Sequence, residues 1–315
     1  MKNTKNNFID SIGNTPLIKL KAASEITGCN IYGKAEYLNP GGSVKDRAAL
    51  ALIKDAEEKK LISKGGTIVE GTAGNTGIGL CLIGNSVGYK TVIVMNDNQT
   101  QEKKDMLKNI GADLRLVPPK PYKDDGNYVK VAGRLADELK SSNNHGVVWA
   151  NQFDNTANSK GHYETTGPEI WEQTNGRVTH FVAGLGTTGT FVGTSRFLQK
   201  KGVHCVSVEP NTPMHGLEGW KHMETAIVPK IYDKSVADDT LEADTARSYE
   251  LAKAASKHLG LMLSPSAAAN LDAAMQLSDH VNNGVIVTVF ADNAMKYLTD
   301  AFWNDNAYNI ENPFC

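Results

Sequence analysis

Four short stretches of the chain carry residue types that could do chemistry. The first is Asn39–Arg47, NPGGSVKDR. Its lysine follows Pro-Gly-Gly-Ser, where a loop gives way to a helical pattern. The glycines let the backbone approach a bound molecule closely. An amine that forms a Schiff base must first shed its proton, which burial and a neighbouring cation favour. Lys45 is therefore a candidate nucleophile, although taken alone it reads as a surface lysine at a helix start. The second stretch is Glu70–Gly79, EGTAGNTGIG, placed directly after a β-rich run. Thr72, Asn75 and Thr76 stand there among Gly71, Gly74 and Gly77. A strand–turn–helix unit of this kind presents N–H groups at a helix N-terminus, where an anion such as a substrate carboxylate is favoured. An ordinary glycine-rich turn with a threonine cap has the same composition.

The third stretch is Gly184–Thr190, GLGTTGT, again between a strand pattern and a helix pattern. Its glycines and hydroxyls suit a phosphate. It is neither GxGxxG nor a P-loop, because the Lys-Ser/Thr pair is missing. The fourth is Ser264–Asn270, SPSAAAN, which enters another helix. Ser266 reads most simply as the cap of that helix.

The elements that would position these stretches alternate along the chain. Strands are predicted at Thr67–Glu70, Thr91–Met95, Asp113–Val117, Val147–Ala150, His180–Ala183, His204–Glu209 and Val285–Phe290. Helices are predicted at Val44–Lys60, Thr76–Val87, Gln101–Ile110, Asn127–Leu139, Thr190–Lys200, Thr245–Leu259 and Ala267–Leu277. In one of these, Val129, Val131, Ala132, Leu135, Ala136 and Leu139 share a face. Such alternation predicts parallel sheets with helices on both sides, and ligands beyond the carboxyl ends of the strands. Pro118–Gly126 reads as a loop, and Pro210–Asp239 as a second irregular region.

Composition narrows the partners. With 315 residues, 40% hydrophobic and 22% charged, the chain can bury two α/β lobes. A net charge of -2 lacks the basic excess of a general nucleic-acid binder. No apolar run approaches the roughly 18 residues of a membrane span. The start, MKNTKNNFID, has no signal-peptide pattern, so a cytoplasmic protein is expected. The cysteines, Cys29, Cys81, Cys205 and Cys315, form no Cys-x-x-Cys pair, so no metal or redox motif is expected.

The order and spacing of the four stretches say more than any one of them. With IGNTPLIKL at Ile12–Leu20 and NQFDNTANSKGHYETTGPEIW at Asn151–Trp171, the chain resembles the cysteine synthase (O-acetylserine sulfhydrylase) and cystathionine β-synthase family. These are fold type II pyridoxal-phosphate enzymes, and the resemblance runs to about Leu298. It implies a two-lobed α/β fold like that of tryptophan synthase β. A small mobile lobe would span 49–155, and a large lobe 1–48 plus 156–315, with the cofactor between them.

The resemblance also implies roles for residues. Lys45 would join covalently to pyridoxal 5′-phosphate. Asn75 would contact the cofactor's 3′-oxygen. Thr72, Ala73, Asn75, Thr76 and Gln152 would hold the substrate. Gly186, Thr187, Thr188, Gly189 and Thr190 would take the phosphate. Ser266, rather than Ser264, would bond the pyridine nitrogen. The implied reaction replaces the β-substituent of O-acetyl-L-serine, or another activated serine, with sulfide through an α-aminoacrylate. Three departures bear on the substrate: Ala73, Thr188 where glycine is common, and Gly216–Asp233, which lacks a GIGAGF-like stretch. They leave room for a β-replacement or lyase reaction on cysteine or serine, forming hydrogen sulfide, cystathionine or lanthionine. Lys221 and His222 could meet an anionic leaving group, or be solvated surface charges. The family is usually homodimeric, and relatives bind the C-terminal peptide of serine acetyltransferase. A purely regulatory, partner-binding protein is the alternative of another class.

Overall fold

The computed structural model describes residues 5–72 and 74–315. Ala73, an expected substrate contact, lies outside the described residues. Ten strands are described: β1 Leu17–Lys19, β2 Asn30–Ala35, β3 Thr67–Gly71, β4 Lys90–Asn96, β5 Asp113–Val117, β6 Val147–Trp149, β7 His180–Gly184, β8 His204–Pro210, β9 Asp239–Ala243 and β10 Val285–Phe290. The α-helices are α1 Lys21–Thr27, α2 Lys45–Glu58, α3 Asn75–Val87, α4 Gln101–Asn109, α5 Tyr128–Leu139, α6 Ala157–Glu164, α7 Thr166–Gln173, α8 Gly189–Gln199, α9 Thr245–Ala254 and α10 Pro265–Ser278.

The chain forms two compact units. One holds residues 5–12, Asn39–Gly41 and Lys45–Gly161; the other holds Gly13–Leu38, Gly42–Val44 and His162–Cys315. The first unit has a four-stranded sheet in the order β5-β4-β3-β6, parallel throughout. Strand side chains alternate between faces. Val69, Val92 and Val94 meet Ala132 and Ala136 of α5 on one face. Ile68 meets Leu80 and Ile83 of α3 and Leu52 of α2 on the other. The five residues of β3 are all buried, as a strand covered on both sides requires.

The second unit has a six-stranded sheet in the order β1-β2-β10-β7-β8-β9. Only the β1–β2 pair is antiparallel. Ile31, Val182, Val206 and Ile286 pack against α10 and α9. Phe181, Cys205, Val287 and Val289 face α7 and α8 through Ile170, Phe191 and Val192. This is the α/β architecture of mostly parallel, helix-covered sheets that the alternation pattern predicts.

Several elements differ from the sequence expectation for local reasons. β2 was missed because Gly33 and Lys34 interrupt its apolar run. Gly33 is required there: a Cβ would sit 2.0 Å from the Phe290 ring. Lys34 is fully buried, and its ammonium reaches Glu169 at 2.6 Å, Gln173 at 2.9 Å and the Thr15 carbonyl at 2.6 Å. β9 and β1 lie at the sheet edges and carry polar residues. α6 and α7 are short helices, and Thr165 separates them. The predicted helix Thr245–Leu259 is α only to Ala254; Ala255–Leu259 continues as a π turn stopped by left-handed Gly260. The helix predicted at Ala267 begins at Pro265, and its cap is Ser264, whose hydroxyl accepts from the Ala267 N–H at 3.2 Å. Ser266 is therefore not the cap. Asn127 caps α5 and ties back to the Lys120 carbonyl at 2.8 Å, which closes the Pro118–Gly126 loop.

Candidate active site

In the first unit, Lys45 is the first residue of α2 and is half-buried. The loop before it is tight. The Gly41 N–H donates to Asp46 Oδ2 at 2.5 Å, and a Cβ on Gly41 would fall 2.4 Å from Asp46 Oδ1. That contact explains the glycine two residues after Asn39. α2 lies close to α3: a Cβ on Gly79 would meet Ala49 Cβ at 3.1 Å and Asp46 Oδ1 at 3.2 Å. Two other buried lysines are spent on structure. Lys34 is held as described above, and Lys253 donates to the carbonyls of Asp305 at 2.7 Å and Phe302 at 3.4 Å.

Thr72, Asn75, Thr76 and Gln152 gather at the carboxyl ends of the neighbouring parallel strands β3 and β6. Gly74 is the residue before α3, and among the described residues no side chain caps that helix. The threonine-cap reading of this turn is thereby corrected. Instead the Gly74 N–H reaches Thr72 Oγ1 at 3.3 Å. The Thr76 hydroxyl donates to Gln152 Oε1 at 2.6 Å, and both residues are buried. Behind them lies Glu70, which is fully buried. Its carboxylate accepts the Asn151 N–H at 2.7 Å and Gln152 Nε2 at 3.3 Å. Asn151 has a left-handed φ of 51°, which turns the backbone toward that carboxylate. Burial pushes the Glu70 carboxyl up to about 8, against the lowering effect of its amide donors. Glu70 stands in the EGTAGNTGIG stretch, but its residue type there suggests no role from sequence. A carboxylate in an otherwise apolar strand, TIVEG, is the signal that could have drawn attention to it.

In the second unit, Gly186–Thr190 joins β7 to α8. Thr188 adopts a left-handed φ of 68°, which accounts for a preference for glycine at this position. Its hydroxyl is buried and has no hydrogen-bond partner among the described residues. A buried orphan hydroxyl beside a helix N-terminus is suited to a phosphate oxygen. Thr190 is bonded to His162 Nε2 at 3.2 Å, and His162 Nδ1 to Thr166 Oγ1 at 2.8 Å. His162 is buried, fixes the last hydroxyl of the loop, and was not singled out from the sequence. It lies inside the Asn151–Trp171 block, which was the available clue.

Gly219–Lys221, within Gly216–Asp233, packs against the start of this loop and the strand end before it. A Cβ on Gly186 would lie 2.1 Å from the Gly219 carbonyl, and one on Gly184 would lie 1.9 Å from the Trp220 ring. The Lys221 N–H donates to the Leu185 carbonyl at 2.8 Å. Lys221 and His222 are half-buried rather than fully solvated, and burial lowers the Lys221 amine below its usual range. Ser266 is buried at the start of α10, with its hydroxyl 3.2 Å from that of Ser264. Asn270 of the same helix accepts the Gly184 N–H at 2.9 Å and donates to the Val289 carbonyl at 2.7 Å. α10 is thereby tied to the strand that carries the glycine-threonine loop.

Within each unit, the residues are of the types that bind a phosphorylated aldehyde: an amine in one, an anion-suited loop and a neutral hydroxyl in the other. The family described as pyridoxal-phosphate dependent enzyme matches residues 9–292. Cysteine synthase 1 of Neurospora crassa is 42% identical over 93% of this chain and 82% of its own length. Of solved structures, O-ureido-L-serine synthase superposes with a TM-score of 0.86 at 32% identity, covering 96% of each chain. A hydrogen sulfide-producing enzyme from Fusobacterium nucleatum gives 0.83 at 35% identity, covering 93% of this chain and all of the other. The chain belongs to the pyridoxal-phosphate dependent enzymes, and within them to the fold type II cysteine synthase family. Its cofactor is pyridoxal 5′-phosphate.

Proposed function

We propose that this enzyme makes L-cysteine by replacing the β-substituent of O-acetyl-L-serine, or another activated serine, with sulfide. One observation carries the reading. Lys45 opens a helix whose next residue, Asp46, lies against Gly79, one turn beyond Asn75 and Thr76. An amine and an anion-suited turn thus start two helices packed side by side. The relatives named cysteine synthase support the same reading.

Pyridoxal phosphate, when bound, supplies the electron sink that lets the α-proton and the β-substituent leave. The chain supplies position and proton transfer. Lys45 would hold the cofactor covalently, and its amine would take the proton at Cα and give it back there. Thr72, Asn75, Thr76 and Gln152 would orient the substrate carboxylate, and Asn75 would also meet the cofactor's 3′-oxygen. Gly186, Thr187, Thr188, Gly189 and Thr190 would hold the phosphate. Ser266 would offer a neutral hydroxyl to the ring nitrogen. Unlike a carboxylate, it does not stabilise a proton there, which favours elimination over transamination.

Borohydride reduction of the native holoprotein, followed by peptide mapping, tests the linkage. Label is expected on Lys45; label elsewhere, or none, overturns it. Sulfide consumption is expected with O-acetylserine. Turnover with O-phosphoserine alone would move the substrate assignment. A second reading, sulfide release from cysteine, is favoured by the fold likeness to the Fusobacterium enzyme. Sulfide release faster than cysteine synthesis under matched conditions would establish it. A cytoplasmic homodimer that binds the serine acetyltransferase C-terminal peptide completes the proposal. Light scattering and titration with that peptide test these two points. No described helix is long and apolar enough to cross a membrane.

A further inference from the structure

Glu70 has no part in the chemistry proposed above, yet it is fully buried one bond network away from the carboxylate turn. The network has a direction. The Thr76 hydroxyl gives its hydrogen to Gln152 Oε1, so Gln152 must present its Nε2 to Glu70. An ionised Glu70, which only accepts, enforces that orientation. In this state the Thr76 hydrogen points at Gln152 and cannot point at a ligand.

A protonated Glu70 reverses the chain. Its O–H donates to Gln152 Oε1, the amide turns over, and Nε2 donates to Thr76 Oγ1. The Thr76 hydrogen is then released to donate to an anion at the turn. Loss of the Glu70 charge favours the anion as well. The Asn151 N–H keeps its bond to the second carboxyl oxygen in either state.

We infer that Glu70 is a positioning residue whose protonation turns the Gln152–Thr76 pair toward a substrate carboxylate, so that carboxylate binding takes up a proton. This rests on the reading that the Thr72–Thr76 turn receives a carboxylate. The surroundings leave Glu70 free to respond. Its partner on β4 is apolar Ile93, and Trp149 on β6 is paired with Val69. From α3 it meets Thr76 through Gln152. It shares the α2 and α3 face with Ile68; the Tyr128 phenol at the start of α5 is raised first by its own burial and second by the Glu70 charge. Among the described residues, no lysine, arginine or histidine contributes to the Glu70 shift, and burial pushes the carboxyl up to about 8 against its amide donors.

The probe is propionate, a carboxylate without the titrating amine of an amino acid. Calorimetry of the holoenzyme in buffers of different ionisation enthalpy reads both affinity and proton uptake. Propionate is expected to take up a substantial fraction of a proton near pH 8, with affinity falling on the order of tenfold between about pH 7 and pH 9. Glu70→Gln, a permanently neutral group of the same shape, is expected to keep the low-pH affinity throughout and take up no proton. That result is retained binding, which misfolding cannot imitate. Wild-type infrared difference spectra with and without propionate read the same transfer with no variant, as a gain of protonated-carboxyl absorption. Propionate that binds without proton uptake, or with the same pH dependence in Glu70→Gln, removes this role and leaves the carboxylate turn standing. Propionate that fails to bind, or binds Thr76→Val equally well, overturns the turn and this inference together.

Discussion

At Glu70 a carboxyl has exchanged water for three amide donors, the Asn151 and Gln152 N–H groups and the Gln152 side chain, with no cation among the described residues, and desolvation wins. The consequence reaches beyond binding. Burial pushes the group up to about 8 in the folded chain, against an ordinary value of 4.5. Between those values the folded chain binds more protons than the unfolded one. Stability therefore falls as pH rises through that window and levels off above it. The decline attributable to Glu70 is on the order of 5 kcal/mol at most. Denaturant melts of wild type and Glu70→Gln across this range should diverge progressively, with the variant flatter; parallel curves would mean that Glu70 does not titrate in the window. The lysines show the same logic with the opposite resolution. Lys34 is buried and surrounded by oxygen acceptors, so its role is structural. Lys45 is the one at a glycine-rich helix entrance.

Helix ends carry much of the proposed chemistry, and each end has its own balance. The two serines of SPSAAAN look alike in sequence but differ in the fold. Ser264 caps α10, so Ser264→Ala should cost about 1 kcal/mol in the apoprotein. Ser266→Ala should leave apoprotein stability nearly unchanged and instead alter the cofactor spectrum and turnover. Equal stability losses would contradict this division. Thr188 poses a different balance. It pays for a left-handed backbone and leaves a buried hydroxyl without a partner. Thr188→Gly should raise apoprotein stability by up to about 1 kcal/mol while weakening cofactor binding. Thermal melting of the apoprotein and cofactor titration check the two halves separately.

The two units differ in how far along the chain their partners lie. The smaller sheet draws its strands from one stretch between Thr67 and Trp149. The larger pairs Asn30 with Val285 and Ala35 with Phe290, so it closes only when distant segments meet. Loop closure of that length is expected to place β2–β10 pairing late in folding. Ile31 and Ile286 face each other there, both fully buried. Ile286→Ala should cost about 2–5 kcal/mol, read as a lower denaturant midpoint. A loss below about 1 kcal/mol would mean that the site collapses around the missing atoms.

Long β-branched runs such as TIVE, TVIVM and VIVTVF, and helices with one apolar face, were legible because each segment declares its own period. The four stretches stood out as candidates, but each alone also fitted a surface lysine, an ordinary turn or a helix cap; their order and spacing, through the family resemblance, gave them roles. Tertiary structure alone decided the remainder. β2 is a strand because Gly33 admits the Phe290 ring and Lys34 finds Glu169, and neither partner is near it in sequence. Ser264 rather than Ser266 is the cap because helix geometry selects the residue before Pro265. Glu70 became a buried titrating group only when Asn151 and Gln152, far along the chain, folded onto it. Local patterns encode dihedral preference and amphipathicity; burial, and the pKa it sets, depends on which distant residues exclude the water.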